Sequence, residues 1–267
     1  MVIYRLQPNS ANATMAAGAG AWFIGNLLWL SGEHISRAVP WWAGFLVLTI
    51  VGERLELARV MFWGKRARQL YLAAVAVFGG GLLLSLVPAA FSLALRISGA
   101  GMILLAVWLF RYDMARRTVR RRGLTRFIAA CLLPGYFWLG LGGLLWLGYG
   151  GSTIAGPRYD AMLHSIFLGF VFSMIFGHAP VIIPAVLRLA VPFRPAYYAH
   201  LALLHGSLAV RIAGDLLPAP ALRRWGGLFN AVAILLFLAV TLVPWASLQA
   251  KMRGARRQPA ATADVSP

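Results

Sequence analysis

The stretch HSIFLGFVFSMIFGHAPVIIP, residues 164–184, decides the fold class of this chain. It is nearly all apolar, and it has about the 20 residues that a helix needs to cross the hydrocarbon core of a bilayer. It nevertheless holds two histidines, His164 and His178, and ionisable side chains are costly to bury in lipid. The stretch therefore predicts a membrane-spanning helix whose histidines face other helices.

The composition of the whole chain agrees with this interpretation. Of the 267 residues, 60% are hydrophobic and 12% are charged, whereas about 25% are charged in an average soluble domain. The chain is therefore predicted to be all-α, a polytopic bundle of about eight transmembrane helices. The predicted spans are 14–31, 39–62, 70–91, 94–111, 126–149, 161–187, 195–217 and 226–248.

These spans divide the chain into three parts. We predict a cytoplasmic N-terminal segment over 1–13, a transmembrane helical domain over 14–249, and a disordered basic cytoplasmic tail over 250–267. A tight turn is expected around Ala90–Arg96, between the third and fourth spans. The N-terminus shows no cleavable signal pattern, so the first apolar segment is expected to remain as a span.

The net charge of +18 is concentrated in alternate connections between the spans. The segment RYDMARRTVRRRGLTR, residues 111–126, is the most basic of them. The positive-inside rule then predicts that both termini are cytoplasmic. The lipid bilayer accounts for the charge, and no nucleic-acid partner is predicted. A docking surface for a membrane-complex partner is the alternative interpretation of the arginine-rich segment.

Ionisable side chains inside the spans are the candidates for function. With about 1.5 Å of rise per helical residue, six of them are predicted to lie at similar depth on three helices and to face one another. These six are Glu53, Arg54, Glu56, His178, His200 and His205. Arg211 and Asp215 are expected in the outer half of the seventh span, on the same side as His164.

The histidines point to haem or copper, because imidazole is a common axial ligand of haem iron and a good copper ligand. His164 and His178 are fourteen residues apart, which on a regular helix leaves them about 40° apart on one face. His200 and His205 are only five apart and diverge by about 140°, which does not support a two-haem arrangement. One cofactor near His178 with His200 or His205 is the remaining prediction.

We therefore assign candidate roles to these side chains. The candidate cofactor-binding residues are His164, His178, His200, His205 and Arg211, the last as a partner of haem propionates. The candidate metal ligands are His178, His200 and His205. Glu53, Arg54, Glu56 and Asp215 are candidates for proton transfer or for ion pairs. The structural alternatives are ion pairs that fix helix packing and a kink before Pro180 whose freed carbonyl bonds His178.

From His164 onward, the segments HSIFLGFVFSMIFGHAPVIIP and AYYAHLALLHGSLAVRIAGDLL resemble the NnrS family of haem- and copper-associated bacterial membrane proteins. His164, Gly169 and Gly177 fall at corresponding places in its motif, and an arginine corresponds to Arg211. The resemblance covers residues 164–217. It departs from the family at Ser165, where a Glu is usual, and at His178, where an apolar residue is usual. The family's later Gly-His-Thr-Gly-Arg type of motif is absent, and the family has about twelve spans. It implies bound haem b, with copper as an alternative, and a role in nitric oxide or denitrifying metabolism.

Three hypotheses for function follow from the sequence. The first is a haem- or metal-binding protein of the bacterial inner membrane, linked to respiratory or nitric-oxide-related metabolism. The second is a proton-coupled transporter that uses Glu53, Glu56 and the histidines. The third is a non-catalytic subunit or assembly factor of a membrane complex. The sequence leaves open whether the protein is an enzyme.

Overall fold

The computed structural model describes residues 9–57, 64–152, 154–187 and 193–257, and these residues form helices and no strands. The helices, in chain order, are α1 (Ser10–Leu30), α2 (Ile35–Leu57), α3 (Lys65–Leu84), α4 (Phe91–Tyr112), α5 (Ala115–Thr118), α6 (Gly123–Tyr149), α7 (Pro157–His164), α8 (Phe172–Leu187), α9 (Tyr197–Leu216) and α10 (Pro220–Arg257). Short 3-10 turns precede α4 at Pro88–Ala90 and follow α6 at Gly150–Ser152.

Within these described residues, seven helical segments are long and apolar enough to cross a membrane, which confirms the all-α polytopic bundle. The seventh predicted span, 195–217, corresponds to α9, which has 20 residues but is not among these seven segments. It carries four ionisable side chains, and these lower its hydropathy. They are His200, His205, Arg211 and Asp215. Because α9 packs along α10, the two form a helical hairpin.

Close backbone approach holds the central helices together. A Cβ atom added at Gly99 of α4 would lie 2.6 Å from the carbonyl oxygen of Gly143 on α6, and one added at Gly143 would lie 2.7 Å from that of Gly99. Small residues at such crossings let membrane helices approach through van der Waals contact. The large side chains of the core, Tyr71, Phe78, Tyr136 and Trp146, fill the space beside these crossings.

Several helix ends differ from the predicted ones. The helix α3 begins at Lys65 rather than at 70, and the turn before α4 lies around Pro88 rather than at Ala90–Arg96. Proline fixes its own φ and lacks a backbone donor, so it suits the first position of this turn. The helix α10 continues to Arg257, and the predicted disorder of the remaining tail, 258–267, concerns residues outside the described part of the chain.

A π-helix over Ser165–Val171 interrupts the sixth span between α7 and α8. Its hydrogen bonds run from i to i+5, so it turns less per residue than an α-helix does. The rotation expected between His164 and His178 on a regular helix is therefore not kept. His164 faces α9 through Asp160, whereas His178 contacts Arg54 of α2. The prediction that the two histidines share one face is corrected accordingly.

Candidate functional site

A buried ion pair lies at the end of the bundle where α2 and α4 terminate, which we call the inner end. The Arg54 guanidinium donates from Nε to Asp113 Oδ2 at 2.9 Å and from Nη2 to Asp113 Oδ1 at 3.2 Å. The exposed fractions of these side chains are 9% and 1%. Asp113 Oδ1 also accepts the backbone N–H of Ala115 at 2.7 Å, which fixes the carboxylate at the start of α5.

His178 of α8 joins this pair. Its Nδ1 lies 2.7 Å from the carbonyl oxygen of Met174, and its Nε2 lies 3.3 Å from Arg54 Nη1. A carbonyl only accepts, so Nδ1 carries the proton and Nε2 accepts from the guanidinium. The buried hydroxyl of Tyr136 lies beside the same pair. We call Arg54, Asp113, Tyr136 and His178 the inner cluster.

His200 on α9 lies in an aromatic cage. Its ring is 4.8 Å from Phe176, 5.4 Å from Phe237, 6.0 Å from Tyr197 and 6.1 Å from Phe127, measured between centroids. The residue is 1% exposed, and neither ring nitrogen has a hydrogen-bond partner among the described residues. A buried polar group without a partner costs about 1–3 kcal/mol.

His205 lies further along α9 in a different environment. Trp138 Nε1 donates to His205 Nδ1 at 2.9 Å, and the two rings are nearly parallel, with 12° between their planes. Indole N–H is only a donor, so Nδ1 must be the acceptor and Nε2 carries the proton. That Nε2 is buried and has no hydrogen-bond partner among the described residues.

A second cluster of charges lies at the opposite, outer end, centred on Asp160 of α7. Arg211 donates to Asp160 Oδ2 from Nε at 3.0 Å and from Nη2 at 2.8 Å. His164 Nδ1 lies 2.8 Å from the Asp160 carbonyl oxygen and 3.2 Å from its Oδ1, so this nitrogen is the donor. Arg223 of α10 lies 3.6 Å from Asp160 Oδ2 and forms a 2.9 Å ion pair with Asp215 that lacks hydrogen-bond geometry.

The predicted convergence of six side chains is therefore realised only in part. Arg54 and His178 meet, but His200 and His205 are held apart in separate aromatic surroundings. Glu53 is exposed on the outside of α2, and Glu56 is half-buried. Asp215 does not pair with Arg211 at i,i+4, because Arg211 pairs with Asp160 and Asp215 with Arg223.

Three important residues were missed from the sequence. Asp113 lies within the arginine-rich segment, Tyr136 has an ordinary apolar neighbourhood, and Arg223 lies in a connection. The signal available for Asp113 was that it is the one acidic residue within the arginine-rich segment 111–126. No comparable signal marked Tyr136 or Arg223.

The chemistry available to each histidine follows from these partners. A metal cation bound at His178 Nε2 would lie against the Arg54 guanidinium, which is also positively charged. At His205, the nitrogen without a hydrogen-bond partner carries a proton and so offers no lone pair to a metal. His200 has one nitrogen lone pair without a partner. Within the described ranges, no group of three or more His, Cys, Asp or Glu side chains is placed to hold a metal ion.

The fold and its two charge clusters define a multi-pass helical membrane protein with ionisable side chains buried between its spans. The chain matches the family described as a domain of unknown function, DUF8744, over residues 1–246, and it belongs to that family. Neither the curated proteins nor the solved structures contain a match to this chain.

Proposed function

We propose that the protein binds haem or a metal ion within the membrane through His200. The observation that carries this proposal is the buried imidazole of His200, both of whose nitrogens lack a hydrogen-bond partner in the described part of the chain. An imidazole in an apolar site is the usual protein ligand of haem iron. Coordination would supply the partner that the buried ring lacks.

The tautomers of the other histidines make His200 the better candidate for the haem or metal ligand. His178 and His205 already use the nitrogen lone pair that a metal would need, in contacts with Arg54 and Trp138. His164 keeps Nε2 available, because its Nδ1 donates to Asp160. A carboxylate that orients a histidine in this way is common behind metal ligands. His164 is therefore the alternative ligand, at the outer end.

The surroundings of His200 suit haem b better than a bare ion. A haem brings four nitrogen ligands of its own, so one imidazole is enough to hold its iron, and its porphyrin packs well against aromatic rings. Phe176 and Phe237 are stacked 4.3 Å apart beside His200, so at least one of them must rotate to admit the porphyrin. Copper, which needs less space, is the alternative.

The biological role proposed here is sensing, scavenging or electron transfer in respiratory or nitric-oxide-related metabolism of a bacterial inner membrane. It depends on the resemblance of residues 164–217 to the NnrS family. Membrane-complex partners and a function as a subunit or assembly factor also remain predictions.

The proposal is tested by visible absorbance and metal analysis of detergent-purified protein. We expect a Soret band or bound copper in the unmodified chain, and its loss in His200→Ala. The variants His178→Ala and His205→Ala are expected to retain the metal. His34→Ala is the matched control, because His34 is exposed and its ring nitrogen Nδ1 bonds to the neighbouring Ser36. Absence of haem and metal from the unmodified chain after expression with added haem and copper would overturn the proposal.

A proton-coupled transporter is the second candidate, and the inner cluster favours it. Buried carboxylates and histidines on neighbouring helices are typical of proton relays. The exposed position of Glu53 does not fit the proton-transfer role that was predicted for it from the sequence. Proton flux into liposomes that disappears in His178→Gln and persists in Glu53→Gln would support this function, and equal flux in both variants would contradict it.

A further inference from the structure

A pocket of about 380 Å³ opens at the outer end, between α9 and the first turns of α10. It is lined by Arg211, Pro220, Arg223, Arg224 and Gly227. Three of its five lining residues are therefore arginines, an unusual concentration for the outer end of a bundle whose basic residues gather mainly at the inner end.

The charges around this pocket do not cancel. Asp160 and Asp215 pair with Arg211 and Arg223, so the third lining arginine, Arg224, leaves one positive charge in excess when His164 is neutral. Arg224 is exposed and has no hydrogen-bond or ion-pair partner among the described residues. Its guanidinium is thus free to bind an anion that enters the pocket.

The start of α10 adds to this positive potential. The helix begins at Pro220, on the wall of the pocket, and the backbone N–H groups of a first helical turn carry partial positive charge. Anions bind readily where such a helix end and basic side chains coincide. The planar guanidinium also matches the oxygens of a phosphate in a two-point contact.

From these features we infer that the pocket binds a phosphate group. It lies at the level where α9 ends and α10 begins, which is where the phosphates of lipid headgroups lie. Basic pockets between membrane helices recognise such headgroups. A free phosphate or phosphate monoester presents the same oxygens, so the two sources are separated by experiment.

Titration calorimetry on the detergent-purified chain tests the inference with two probes. One is inorganic phosphate, and the other is a short-chain phosphatidylglycerol below its micelle concentration. Binding of both probes indicates a free phosphate as ligand, and binding of the lipid alone indicates a headgroup. Binding of neither overturns the inference.

Two variants locate the binding. Arg224→Gln removes the unpartnered guanidinium and is expected to weaken binding about tenfold or more. Gly227→Leu keeps every charge but fills the pocket. A Cβ there lies 3.2 Å from Arg211 Nη1, a side-chain nitrogen that is not bonded to Asp160, and meets no backbone atom closely, so the chain is expected to fold. Abolished binding in Gly227→Leu would show that the pocket itself is occupied.

The matched control is Arg158→Gln. Arg158 is also an exposed arginine at the outer end, where it stacks over Tyr149 rather than lining the pocket. The variant changes the net charge by the same amount as Arg224→Gln and is expected to leave binding within about twofold of the unmodified chain. If Arg158→Gln and Arg224→Gln weakened phosphate binding equally, the effect would come from general surface charge, and the proposed phosphate-binding pocket would be overturned.

Discussion

Arg54 and Asp113 form a bidentate ion pair that joins the last turn of α2 to the end of α4, with both side chains almost wholly buried. Two residues that are 59 positions apart in the chain are thereby fixed to one another, and His178 adds α8 to the same contact. The inner cluster thereby joins three spans at the inner end.

Removal of one partner from this pair is expected to be strongly destabilising. Asp113→Ala leaves a buried, unpaired guanidinium, which typically costs about 3–5 kcal/mol. Thermal unfolding of the detergent-purified chain, followed by tryptophan fluorescence, should show a clear decrease in Tm. The double variant Arg54→Met with Asp113→Leu should recover most of the loss, since well-packed apolar residues often replace a buried pair without cost.

The control for this prediction is the pair Glu33–Arg37, at 3.1 Å, in which the Glu33 side chain is 45% exposed. Glu33→Ala should cost no more than about 1 kcal/mol, because solvent screens an ion pair whose carboxylate is exposed. A loss in Asp113→Ala as small as that in Glu33→Ala would contradict the structural role of the inner pair.

Three consecutive glycines, Gly79, Gly80 and Gly81, lie near the end of α3, and the cost of adding a side chain can be compared between two of them. A Cβ added at Gly81 would lie 2.5 Å from the backbone nitrogen of Ser98, whereas a Cβ at Gly80 meets nothing within 4 Å. We expect Gly81→Ala to cost about 1–3 kcal/mol by forcing α3 and α4 apart. Gly80→Ala should be neutral or slightly stabilising, because alanine favours the helix. Equal Tm values for the two variants would refute this packing.

The orientation of the chain depends on whether α9 crosses the membrane. An even number of spans predicts that the tail and the segment after α5 lie on one side. In a Cys131→Ala background, we expect Ala155→Cys to react with a membrane-impermeant maleimide added to intact cells. Arg121→Cys and Ser266→Cys should react only after the cells are opened. Labelling of Ser266→Cys from outside would mean that α9 does not cross.

Much of the fold could be predicted because the length of each apolar run in the sequence directly indicates the length of a membrane-spanning helix. The ends were less accurate where polar residues continue a helix: Lys65 and Arg66 begin α3 although they carry charge. Long basic side chains extend toward the headgroups while their backbone stays helical. Hydropathy therefore places the start of this helix too late.

The side-chain contacts were harder to predict than the spans. The rise per residue gave usable depths, so Arg54 and His178 were rightly expected at one level. Rotation about the helix axis was not predictable, because the π-helix at Ser165–Val171 changes it and no sequence pattern marks that segment. On the regular helix α9, by contrast, the spacing of His200 and His205 correctly indicated that their rings diverge, although it could not identify the aromatic neighbours of either ring.

The proposed ligand can be tested most directly by chemical rescue of His200→Gly. If the His200 imidazole binds haem iron or copper, this variant should lose the absorbance of the unmodified chain, and free imidazole should restore it by entering the space that the side chain leaves. A His34→Gly control should keep its spectrum with or without imidazole. A His200→Gly variant that retains the full spectrum before any imidazole is added would contradict the assignment of His200 as the ligand.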